Sequence, residues 1–209
     1  MSKKERLQIA GPVGQLELRV FRSDKTPKLG NKKSLAVISH PHSLYGGTMD
    51  NKVVTTLERF YQSIGFSTIV YNFRGVGQSE GAYDNGQGEQ LDLKAVVDWA
   101  KNQGLFDRLL LAGFSFGAFV TLSAQANLKA DRLMIVAPPV GLYDFSSIEE
   151  VDVPWHVVIG LEDEVVDADE MVDWVMQRQL KPTLHCRSQA SHFLHGQLIW
   201  LKKILSTEY

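Results

Sequence analysis

The chain of 209 residues holds one cysteine, Cys186, so no disulfide can form within it and the small disulfide-stapled scaffolds are excluded. A lone thiol suits a reducing compartment. Cys186 lies in the strand-like run 183–187 and is expected to be a small buried residue rather than a nucleophile. Long hydrophobic runs are missing too: no stretch approaches the roughly 18 apolar residues of a membrane span. The charged N-terminus is followed by no apolar signal-type core. These absences lead to the expectation of a cytoplasmic protein with no membrane partner. Charge of one sign is scarce, with 22 Lys+Arg against 24 Asp+Glu, so nothing in the balance calls for nucleic acid. The basic patch Lys3, Lys4 and Arg6 is expected to be a solvated terminus rather than a binding arm. With no repeat, low-complexity tract or linker, one domain over residues 1–209 is expected.

What the chain does have is alternation of two periodicities. Leu16 to Phe21 alternates with period two, as a half-buried strand near a sheet edge does. Continuous apolar runs follow at 35–39, 68–73, 109–113, 133–137 and 156–160, the habit of parallel strands covered on both faces. Between them lie helical patterns over 53–64 (stopped by Gly65), 89–102, 118–128, 169–180 and 193–205. Strands alternating with helices predict an α/β fold with a mostly parallel, doubly wound sheet. The polar stretch 22–33 predicts an exposed turn. The segment between Pro138 and Val153 is too short for a helical cap domain, so an open, uncapped site is expected.

The sharpest motif is Gly113-Phe114-Ser115-Phe116-Gly117, which follows a strand and opens a helix. A serine at such an elbow projects its hydroxyl clear of the sheet, and glycines two residues to either side let neighbouring backbone pass close by. A serine hydroxyl is a weak nucleophile until an imidazole takes its proton. Of the six histidines, His40 and His42 precede the serine, against the chain order Ser, acid, His expected of this arrangement. His156 and His185 sit in strands and are expected to be structural. His192, in the loop before the last helix, is the expected base. His195 is the alternative, disfavoured because it should already lie inside that helix. Asp163, at the end of the strand 156–160, is the expected acid, with Asp144 competing.

One oxyanion donor is expected to be the backbone N–H of Phe116, and the other that of His42 or Ser43 in the loop after the strand 35–39. His40 and His42 as a metal pair would need further ligands, and none cluster nearby in sequence. Gly75, Gly77 and Gly81 invite a dinucleotide reading, but the stretch 82–88 is turn-like, so a tight turn bracing the site is preferred. No metal or cofactor is expected. Phe114, Phe116, Tyr45 and Phe193 suggest an apolar rim.

Together, His40-Pro41-His42, the run Gly46 to Val54, Phe73 to Ser79, Gly113 to Gly117 and Ser191-His192-Phe193 resemble small bacterial α/β hydrolases related to the dienelactone-hydrolase branch. The resemblance spans roughly residues 35–196. It implies a Ser–Asp–His triad on Ser115, Asp163 and His192 and carboxylester-type hydrolysis. Two departures stand out. Dienelactone hydrolases carry a cysteine nucleophile where this chain has Ser115, and the related loop reads His-Pro-His-Pro where this chain has Ser43. The expected function is a serine hydrolase acting on a small acyl substrate, as a monomer or homodimer. A non-catalytic binding protein on the same fold is the alternative.

Overall fold

A computed structural model describes residues 3–209 of the chain. One eight-stranded sheet runs through them in the order β1-β2-β4-β3-β5-β6-β7-β8. The strands are β1 (Lys3–Gly11), β2 (Gly14–Arg22), β3 (Ser34–Ser39), β4 (Ser67–Tyr71), β5 (Arg108–Phe114), β6 (Arg132–Val136), β7 (Trp155–Gly160) and β8 (Thr183–Arg187). β1 pairs antiparallel with β2 and β2 with β4, and every other pairing is parallel. Helices α1 (Lys52–Ser63) and α5 (Leu198–Glu208) cover one face; α2 (Gln87–Asn102), α3 (Phe116–Leu128) and α4 (Ala168–Met176) cover the other. This is the α/β-hydrolase fold in a minimal form. The segment after β6 carries only a single 3-10 turn at Phe145–Ser147 and no cap domain.

The strands of the continuous apolar runs are buried along almost their whole length, because helices cover both faces. α1 starts where Asn51 accepts the N–H groups of Val53 and Val54, and it stops at Gly65, whose φ of +92° a side chain would resist.

Five expectations are corrected. The segment with Lys4 and Arg6 is not a solvated terminus. It is the edge strand β1, with Leu7 opposite Leu18 and Ile9 opposite Leu16. Lys4 pairs with the buried Glu58, and Arg6 with Glu17 and Asp50; the side chain of Lys3 lies outside the described residues. Cys186 is exposed, because β8 is the other edge strand. β4 ends at Tyr71 rather than Phe73, since the Phe73 N–H leaves the ladder for a side chain. α4 ends at Met176; the Leu180 N–H goes instead to the Glu150 carboxylate. α5 begins only at Leu198, because Leu194 (φ +51°) and Gly196 (φ +71°) turn the chain first.

Candidate active site

In open α/β sheets ligands bind outside the carboxyl ends of the strands. Here the loops after β3, β4, β5, β7 and β8 meet at that end. The elbow after β5 is strained: Ser115 has φ +54° and ψ −120°, a region that non-glycine residues avoid. It is held by its N–H on Val136 O at 2.9 Å and by its own carbonyl accepting from Ala118 N at 2.8 Å. The flanking glycines are required sterically. A Cβ on Gly113 would lie 2.2 Å from Gly117 O, and one on Gly117 would lie 2.4 Å from Ser39 O.

The loops after β7 and β8 are stitched together. The Leu161 N–H donates to Arg187 O at 2.9 Å and the Glu162 N–H to Ala190 O at 3.0 Å. That brings Asp163 beneath His192, with Nδ1 of the imidazole 2.7 Å from the carboxylate and Nε2 2.8 Å from Ser115 Oγ. The Asp163 side chain is wholly buried, and its other oxygen accepts the N–H groups of Val165 and Val166 at 2.9 and 2.8 Å. With both oxygens occupied, the carboxylate has one orientation. Glu164 contributes unexpectedly: its carboxylate accepts the His192 N–H at 2.9 Å. The acidic loop had given no sign of this beyond its adjacency to Asp163.

The loop after β3 is fixed by His40. Its Nδ1 donates to Pro41 O at 2.6 Å, so Nε2 is the acceptor for the Phe73 N–H at 3.0 Å. Burial pushes this imidazole down to about 4, so it is neutral. Both nitrogens are spent, so His40 and His42 cannot form a metal pair. His42 caps the 3-10 turn Ser43–Tyr45 by accepting the Leu44 N–H at 3.2 Å. The N–H groups of Tyr45, Gly46 and Gly47 fold back onto His42 O and Ser43 O. Among the described residues of this turn, only the N–H groups of His42 and Ser43 stay uncommitted. The Phe116 N–H, first in α3, has no intrahelical acceptor either.

Asp144 caps an exposed turn, where its side chain takes the Ser146 N–H, and makes no hydrogen bond to His192. His195 is exposed in the turn before α5, outside the helix and without contact to Ser115. The Gly75 loop is a brace. Arg74, buried under it, grips Asp92 of α2 through Nη2 at 2.8 Å and Gly88 O at 2.7 Å. α2 starts only at Gln87, and a buried carboxylate lies under the loop, an arrangement that disfavours a phosphate.

A cleft of about 430 Å³ opens on Ser115 and His192, lined by Pro41, His42, Tyr45, Val165 and Phe193 among others, with no Asp, Glu, Lys or Arg in its wall. The expected rim is half right. Tyr45 and Phe193 are exposed there, whereas Phe114 and Phe116 are core residues. Two side chains the sequence did not single out, Tyr83 and Tyr143, pack against the His42 ring, with their hydroxyls 3.1 Å apart.

Residues 21–152 match the family model described as X-Pro dipeptidyl-peptidase (S15 family). That span includes Ser115 and ends before Asp163 and His192. An uncharacterized protein of Rickettsia prowazekii is 33% identical over 193 residues, 88% of this chain and 79% of its own. A Xanthomonas campestris structure described as an α/β serine hydrolase without lid is 40% identical, with a TM-score of 0.91 over 98% of this chain and 93% of that one. A structure of an α/β serine hydrolase homologue from Coxiella burnetii is 43% identical, with a TM-score of 0.90 over 98% and 96%.

Proposed function

This chain belongs to the α/β serine hydrolases, its matched family model being that of the S15 peptidases, and on that premise we propose that it hydrolyses small carboxylic esters through an acyl-enzyme on Ser115. The observation that carries the reading is the unbroken hydrogen-bonded line from Ser115 Oγ through His192 to the buried Asp163. Ser115 Oγ attacks the carbonyl carbon while its proton passes to His192 Nε2. The carbonyl electron pair moves onto oxygen, where the N–H groups of Phe116 and of His42 or Ser43 receive it. His42 is the better donor, because the families this loop resembles carry proline in place of Ser43, and proline has no N–H. Collapse expels the alcohol, protonated by His192, and leaves Ser115 acylated. A water then gives a proton to His192 as it attacks the acyl carbon, and collapse breaks the bond to Ser115 Oγ, which takes that proton back from His192 as the acid leaves. Throughout, the carboxylate of Asp163 holds Nδ1–H, fixes the tautomer and stabilises the imidazolium. The reaction as written needs no metal or cofactor.

The uncharged cleft wall favours a neutral ester over a peptide with a free amino terminus, since an ammonium group would find no carboxylate there. Turnover of p-nitrophenyl acetate should exceed that of an Ala-Pro nitroanilide and vanish in Ser115→Ala. Preference for the nitroanilide would reassign the substrate to peptides. No turnover of either by folded wild type would favour the binding-protein reading.

A further inference from the structure

Away from the elbow, on the face of the sheet beneath α5, three metal-ligating side chains converge. In the parallel register His156 lies opposite Thr183 and Val158 opposite His185, so the two histidines are diagonal neighbours on one face. Nδ1 of His156 and Nε2 of His185 are 3.5 Å apart. Glu208, near the end of α5, reaches between them, with one oxygen 3.8 Å from His156 Nδ1 and the other 3.9 Å from His185 Nε2. The three ligand atoms lie within 4.8 Å of one another. We propose that His156, His185 and Glu208 bind a divalent transition cation of the zinc class, which pins α5 to β7 and β8.

Zinc donors at 2.0–2.2 Å in tetrahedral array are roughly 3.3–3.5 Å apart. The two nitrogens already meet that spacing, and each carboxylate oxygen lies a few tenths of an ångström beyond it from its nearer imidazole, so Glu208 must turn to bring one oxygen within reach of both. Two imidazoles and a carboxylate are a donor set suited to zinc, with water completing the tetrahedron. The side chain of His156 is 4% exposed, against 17% for His185 and 25% for Glu208, so the site has a buried floor and an open mouth. Burial lowers both imidazoles below the usual histidine range, leaving each with a lone pair at neutral pH.

One neighbour opposes the cation. Arg132 Nη1 lies 3.4 Å from His156 Nε2, and arginine can only donate, so without metal Nε2 accepts and Nδ1 carries the proton. Binding at Nδ1 moves that proton to Nε2, which then no longer accepts from Arg132. The guanidinium already lies 5.2 Å over the Tyr209 ring, which gives it an alternative resting place.

Calorimetric titration of the full chain with zinc chloride tests this, with folding of each variant checked by circular dichroism. Wild type should bind one zinc per chain and unfold at a higher temperature when loaded. His185→Ala and Glu208→Gln, both on partly exposed side chains, should each weaken binding by more than about 100-fold, beyond the loss of an outer-shell partner. Arg132→Met should tighten it, and His192→Ala should leave it unchanged. Absence of binding by wild type, equal affinity in His185→Ala, or loss of binding in His192→Ala would each overturn the proposal.

Discussion

Acid should loosen the active-site framework through His40. Its ring is fully buried, donates to Pro41 O and accepts from the Phe73 N–H, a neutral arrangement with no room for a second proton. Burial lowers its pKa from 6.5 to about 4. The folded value lies below the unfolded one, so as pH falls through 6.5 the unfolded chain takes up the proton first. The stability associated with neutral His40 is therefore complete above that pH and drains away until the folded form also protonates near 4. The loss over that window is about 3 kcal/mol. The perturbation that isolates it is His40→Gln, which removes the titration and strains the two bonds, at about 1–3 kcal/mol for each buried group left unpaired. Urea unfolding of both proteins from about pH 7.5 to 4 reads the difference. Wild type should lead at neutral pH, and its lead should shrink by about 3 kcal/mol on acidification. Two stability curves that run parallel across the window would refute the neutral, buried assignment.

Asp163→Asn should leave substrate affinity near wild type and lower kcat by on the order of 10⁴, because the amide favours the wrong imidazole tautomer; steady-state kinetics on a p-nitrophenyl ester checks it. Arg74 and Asp92 form a buried bidentate pair between the glycine loop and α2. Asp92→Ala should destabilise the fold by about 3–5 kcal/mol, measured as a fall in the urea midpoint, since it strands a buried guanidinium.

Much of this arrangement was legible from residue order. The five continuous apolar runs coincide with β3 to β7 within a residue or two, because parallel strands buried on both faces need unbroken hydrophobicity. Ser115 could be read because its glycines answer a local steric demand. Asp163 and His192 were assigned by position relative to strand ends, and the structure brings both to within hydrogen-bonding distance of the elbow's line. What escaped was whatever depends on partners distant in sequence. β1 carries charges that mask its alternation, and these find Glu17, Asp50 and Glu58 only after folding. The anchoring of His192 by Glu164, the Tyr83–Tyr143 pair and the His156–His185–Glu208 cluster likewise join residues from separate elements. The false start of α5 arose because an apolar period runs through residues 193–197, where positive φ at Leu194 and Gly196 breaks the helix.

The proposed hydrolysis depends first on activation of Ser115 by His192. It is tested most directly by labelling the protein with a fluorophosphonate and locating the adduct by peptide mass spectrometry. One adduct on Ser115, none in Ser115→Ala and greatly slowed labelling in His192→Ala are expected. An adduct elsewhere, labelling as fast in His192→Ala as in wild type, or a folded wild type that does not react would contradict it.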